Sequence, residues 1–166
     1  MNRKALVVID IQNDITKHYR DIIDRLNTAI EWAVESGMEI VYIQHNNLSA
    51  GTRTFKPGTK GAELVPDLKI VSDHIFVKTK ANALTSEAFS EFIRSKDIRE
   101  FYITGADATA CVKSTCVNPL HLIQRIRWSF QSLWAPDFPA ADTAGCTDIY
   151  SEEIYIPSSP NNSRTL

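Results

Sequence analysis

Four residues of this chain that could do chemistry stand beside short apolar runs. Asp10 follows ALVVI, His45 follows IVYIQ, Lys78 follows HIFV, and Cys111 lies in the turn GADATACVKSTC behind FYIT. An acid, a lysine and a thiol are the parts that acyl transfer requires. A free thiol titrates near pH ~8.5, so little of it is thiolate at neutral pH. A helix N-terminus carries roughly half a positive charge and favours the thiolate, and a lysine nearby adds to that. An aspartate within hydrogen-bond reach takes the thiol proton. Backbone N–H groups of the turn Ala106–Ala110 can hold the oxyanion of a tetrahedral intermediate. Each residue also has a plainer reading. An aspartate closing a strand often caps a turn, a lone lysine is usually solvated, and a cysteine behind a glycine turn is commonly buried and inert. Asp10 and Lys78 could also simply pair. Their joint placement is what favours chemistry.

That placement follows from the elements. Ala5 to Ile9 is a continuous apolar, Val-rich run, the pattern of a strand covered on both faces. Ile22, Ile23, Leu26, Ala29, Ile30 and Ala33 recur at helical spacing with charges opposite, and Gly37 is placed to end that helix. Ile40–Ile43, His74–Val77 and Phe101–Thr104 read as further strands. Thr85 or Ser86 can cap a helix whose Phe89, Phe92 and Ile93 share a face. Strands alternating with helices predict a three-layer α/β/α fold around a parallel sheet. Ligands of such sheets bind beyond the carboxyl ends of the strands. Asp10, His45 and Lys78 stand at those ends, and the fourth strand leads to Cys111.

The composition bounds the setting. A chain of 166 residues suits one domain, and 18 basic against 20 acidic residues, net charge −2, favour neither nucleic acid nor an anionic membrane. No apolar run approaches the roughly 18 residues of a membrane span. Three cysteines, Cys111, Cys116 and Cys146, without CxxC spacing point to a reducing compartment. A cytoplasmic location is the expectation. From Val117 the character changes: five of the seven prolines and none of the nine lysines lie beyond it. Pro119 would break or kink a helix starting at Cys111, at a cost of about 3 kcal/mol. Arg125–Trp134 can form a fifth strand, and no amphipathic helix follows. The expected division is a domain over 1–134 and an atypical, unstructured tail over 135–166. The break points to a shifted reading frame or a fused, unrelated end.

With these residues in place, the chain resembles the isochorismatase-like cysteine hydrolases, which include nicotinamidases and N-carbamoylsarcosine amidohydrolases. ALVVIDIQND is similar to the family's opening motif, FVKTKANAL to its lysine segment and GADATACVKST to its nucleophile turn. The resemblance covers roughly residues 4–116. It implies Asp10, Lys78 and Cys111 as a catalytic triad, a cis peptide at Ala106–Asp107, and an oxyanion hole from the amides of Asp107 and Cys111. It implies a small-molecule substrate, no cofactor and a homo-oligomer. The chain departs from the family in having Ala108 where many relatives carry threonine. QHNN, Gln44–Asn47, replaces the Asp-x-His metal motif of nicotinamidases, and His45 and His74 supply no ligand set, so no catalytic metal is expected. His45 is expected to line the pocket or donate a hydrogen bond. The loop Ser49–Leu64 should select the substrate, with Phe55 lining the pocket and Arg53 drawing a carboxylate. The later helix and last strand of relatives are not recognisable here. A small-amide hydrolase is the leading reading. A catalytically impaired, binding-only relative is the alternative. A flavodoxin-like module is disfavoured because no Gly-rich phosphate loop follows the first strand.

Overall fold

A computed structural model of the protein describes residues 3–16, 21–106, 108–117 and 125–128. Five strands, β1 (Arg3–Ile9), β2 (Glu39–His45), β3 (Ile75–Lys78), β4 (Ile98–Gly105) and β5 (Arg125–Trp128), form one sheet in the order β3-β2-β1-β4-β5. Every pairing is parallel. The helices are α1 (Asn13–Thr16), α2 (Asp21–Glu35), α3 (Glu87–Ser95) and α4 (Lys113–Val117), the last led in by a π-helical turn, Ala108–Val112.

The apolar run in β1 explains its central place. Ala5, Val7 and Ile9 pack on one face with Phe89 and Ile93 of α3 and with Val112 and Cys116. Leu6 and Val8 pack on the other with Ile23, Leu26, Ile30 and Ala33 of α2. Because strand side chains alternate in direction, a strand apolar at every position must be covered twice. The three-layer α/β/α arrangement follows. The predicted strands lie inside or one residue off the observed ones. α2 ends as expected: Met38 N–H donates to the Ala33 carbonyl across Gly37, whose φ is 66°. Ser86 stands at the start of α3, but its hydroxyl makes no capping bond.

Strand order decides where the carboxyl ends meet. The chain steps from β1 to β2 to β3, then returns to the other side of β1 for β4 and β5. The order reverses between β1 and β4, the place where open parallel sheets bind their ligands. Register brings the reactive ends level, with His45 opposite Lys78 and Ile9 flanked by Ile43 and Gly105. Gly105 is required by this approach. Its φ is 146°, and a Cβ there would lie 2.2 Å from the Ile9 carbonyl oxygen. The next amide, Ala106 N–H, donates to that oxygen at 2.9 Å.

The proposed kink at Pro119, the loss of the last helix and strand, and the tail over 135–166 lie outside the described residues. So does the cis peptide proposed at Ala106–Asp107. Within Arg125–Trp134, residues 125–128 form the expected fifth strand beside β4.

Gly105→Ala combines a strained backbone with a clash against main chain that cannot rotate away, so a loss of at least about 3 kcal/mol is expected. Gly51→Ala has positive φ but open space around it, so only about 1 kcal/mol should be lost. Urea unfolding of the two variants checks this; equal losses would show that the approach to Ile9 imposes nothing.

Candidate active site

The end of β1 is where the site begins. Asp10 adopts φ 58°, a left-handed conformation that aspartate tolerates better than most residues. Its N–H still donates to the Ile43 carbonyl at 2.9 Å, so the residue remains stitched to β2 while its backbone turns. Its side chain is fully buried.

Lys78, at the end of β3, is also buried, and its ammonium gathers the other three residues. Nζ lies 3.0 Å from Asp10 Oδ2, and donates to Cys111 Sγ at 3.1 Å. It stands 3.2 Å from His45 Nδ1. The same His45 nitrogen is 3.9 Å from both Cys111 Sγ and Asp10 Oδ2. The Lys78–Asp10 contact is an ion pair by distance, yet neither Asp10 oxygen has a hydrogen bond of good geometry among the described residues. At 3.0 Å the two groups are paired by charge, because Coulomb attraction depends on distance far more than on angle.

The structure thus brings Asp10, Lys78, Cys111 and His45 together, and it seats Phe55 against His45. The two rings stack with centroids 5.5 Å apart and planes 24° apart. Arg53 is exposed on the same loop, and no hydrogen bond or ion pair ties it to the four residues. Asp107 lies outside the described residues.

Three residues after the aspartate have a part that sequence reasoning missed. Gln12 is fully buried, and its amide pairs with the His45 backbone as a neighbouring strand would. His45 N–H donates to Oε1 at 2.7 Å, and Nε2 donates to the His45 carbonyl at 3.0 Å and the Ala62 carbonyl at 2.6 Å. Asn13 Nδ2 donates to the Lys60 carbonyl at 2.8 Å, and Phe55 N–H donates to Asp14 Oδ2 at 2.7 Å. The loop behind His45 is therefore held by the QND of the opening motif. The available signal was a run of three amide and acid side chains directly after a buried strand, too polar to continue it. On the other flank, Thr115 Oγ1 accepts from Ala83 N–H at 3.0 Å and donates to the Cys111 carbonyl at 2.8 Å. That hydroxyl joins the cysteine's helix to the segment following Lys78.

Burial pushes the Asp10 carboxyl above its usual range, against the lowering pull of Lys78. Burial, and then the neighbouring Asp10 charge, push the Cys111 thiol up to about 12, outweighing Lys78. Desolvation thus outweighs the stabilisation of the thiolate expected from the neighbouring lysine. Cys111 therefore rests as the thiol.

Ligand atoms of Asp10, His45 and Cys111 lie within 4.8 Å of one another, the one such trio among the described residues. Lys78 Nζ stands between them, so a cation already fills the position a metal would take. The residues do not fit a resident metal there.

Because burial pushes the Cys111 thiol up to about 12, its alkylation by iodoacetamide should rise about tenfold per pH unit through the neutral and alkaline range. Asp10→Asn removes a charge that raises this pKa, so the variant's curve should move to lower pH and labelling should quicken. Peptide mass spectrometry reads both. A wild-type plateau below pH ~8.5, or slower labelling of Asp10→Asn, would refute the assignment.

The comparisons with known proteins agree with this fold. The sequence profile of the isochorismatase domain matches residues 4–122. No curated protein matches the chain significantly. Solved structures similar to it include N-carbamoylsarcosine amidase from Thermoplasma acidophilum, 22% identical, with TM-score 0.67 over 76% of this chain and 80% of that one. The pyrazinamidase of Pyrococcus horikoshii, solved in complex with zinc, is 23% identical, with TM-score 0.67 over 76% and 83%. Nicotinamidase from Bacillus subtilis is 20% identical, with TM-score 0.65 over 76% and 83%. At these identities the likeness is one of fold, whereas the profile spans most of the chain. The protein with this buried aspartate, lysine and cysteine belongs to the isochorismatase domain family.

Proposed function

We propose that the protein is a cysteine hydrolase that cleaves a small amide, or a related C–N bond, through a thioester on Cys111. The carrying observation is the buried ammonium of Lys78, 3.0 Å from Asp10 and 3.1 Å from Cys111. Amidases among the structures of the same fold support the substrate class.

In this reading the resting thiol gives its proton to Asp10 as Sγ attacks the carbonyl carbon. A carboxylate whose proton affinity is raised by burial suits that transfer. The S–C bond forms, and the carbonyl electrons move to oxygen. The amides of Asp107 and Cys111 are proposed to receive that oxyanion. Asp10 then returns the proton to the leaving nitrogen, the C–N bond breaks, and an amine and a thioester remain. Water attacks the thioester while Asp10 takes its proton. The carboxylic acid leaves, and the proton passes back to Cys111. Lys78 keeps its charge throughout and offsets whichever neighbour is negative. No step changes the net charge of the site, as a buried centre requires.

His45 and Phe55 are proposed to form one wall of the pocket, and Arg53 to draw a carboxylated substrate towards the loop. The protein is proposed to be cytoplasmic and to act as a homo-oligomer. Among the described residues no helix is long and apolar enough to cross a membrane.

Incubation with a panel of small primary amides should release ammonia and, on acid quench, leave an acyl mass on the peptide carrying Cys111. Cys111→Ala should lose the acyl adduct and at least about 10³-fold in kcat, the scale of losing a covalent nucleophile. Ammonia release without dependence on Cys111 would refute the mechanism. No turnover of any amide, from protein whose Cys111 still shows the Asp10-dependent alkylation curve, would favour the binding-only reading.

A further inference from the structure

We propose that His45 is a positioning residue of the site, its neutral Nδ1 accepting the third N–H of Lys78 and thereby fixing the ammonium between Asp10 and Cys111. A lysine ammonium has three donors and no acceptor. Around Nζ stand three polar atoms, Asp10 Oδ2 at 3.0 Å, Cys111 Sγ at 3.1 Å and His45 Nδ1 at 3.2 Å. Asp10 is paired by charge, and Cys111 and His45 stand at hydrogen-bond distance. The lysine sits within a fully buried pair with Asp10 and is therefore charged, so the imidazole nitrogen facing it must be the unprotonated one. His45 is thus neutral with its proton on Nε2. An imidazolium would set two donors against each other at 3.2 Å.

The rest of the fold holds His45 to that task. Gln12 grips its backbone on both the N–H and the carbonyl. Phe55 stacks on the ring. These restraints fix main chain and ring plane separately, leaving Nδ1 pointed at Nζ. Among the described residues, Lys78, Asp10 and Cys111 are charged or titratable groups that face Nδ1, and all belong to the site. Without the third acceptor, the ammonium is free to turn towards Asp10, its only full counter-charge. Cys111 then loses the partner that lowers its pKa.

The role presupposes the cysteine-hydrolase reading, but its test needs no turnover. His45→Leu keeps bulk and removes the acceptor; His45→Asn places an amide oxygen near the position of Nδ1. Cys111 alkylation against pH is measured for the full chain and both variants, with thermal melts to establish that each is folded. His45→Leu should label Cys111 about tenfold more slowly at a given alkaline pH, the scale of one hydrogen bond to a charged group. His45→Asn should follow the wild type closely. Equal curves for His45→Leu and wild type, or an equal loss in both variants, would overturn the proposal. Should His45→Leu fail to fold, ¹⁵N chemical shifts of the wild-type imidazole decide: a proton on Nε2 alone at neutral pH supports the role, and a proton on Nδ1 sinks it. If amide turnover is never found while the alkylation and tautomer results hold, the functional reading fails and the positioning role stands.

Discussion

A lysine taken wholly out of water keeps its charge only if the protein returns what the solvent gave: a counter-charge and an acceptor for each N–H. Lys78 is in that position, and its neighbours come from separate parts of the chain. Asp10 closes β1, His45 closes β2, and Cys111 lies in the turn beyond β4. Three parallel strands must therefore end level, and β4 must turn tightly against β1, before the ammonium is satisfied. Breaking such a pair by removing one partner typically costs about 3–5 kcal/mol, because a buried charge is left behind. The site and the sheet are for this reason one cooperative object. Gly105, pressed on the Ile9 carbonyl, and Thr115, bridging Ala83 and Cys111, are the places where that dependence is visible in the backbone.

The same burial sets the chemistry. An exposed cysteine beside a lysine would carry a partial thiolate, reactive towards any electrophile in the cell. In this pocket desolvation and the Asp10 carboxylate hold the proton on sulfur. In the proposed mechanism a bound carbonyl supplies the incentive for transfer, because negative charge moves from Asp10 to an oxyanion rather than being created in an apolar cavity. Reactivity is thereby tied to occupancy of the site.

Much of this was legible in the residues themselves. The two-sided apolar run Ala5–Ile9 predicted a central strand, and the observed β1 is covered by α2 on one face and by α3 on the other. The strand-end positions of Asp10, His45 and Lys78 predicted convergence at one edge of a parallel sheet. The sign of the thiol's shift was not legible, because spacing places charges but does not measure how much water surrounds them. His45 was expected to line a pocket or to donate a hydrogen bond. That its Nδ1 faces an ammonium is a further contact, one that β2–β3 register specifies. Gln12 was passed over for a related reason: a polar residue behind a strand reads as a turn, and the carbonyls it reaches are 33 and 50 residues away.

The QND clasp has a consequence for how such a protein changes over generations. Gln12, Asn13 and Asp14 hold the loop after β2 through its peptide groups: those of His45, Phe55, Lys60, Ala62 and Glu63. Peptide groups are common to nearly every amino acid. Three residues outside the loop thus share in holding its path, while its own Asn47, Thr52 and Thr59 side chains add local bonds and other positions are less constrained. Gly61 is an exception, since a Cβ there would strike the Asp14 carboxylate at 2.3 Å. Elsewhere along the loop, mutation can sample new surfaces facing a ligand without dismantling the frame that presents them. A lineage built this way can vary what the loop presents while the buried cluster around Lys78 stays still.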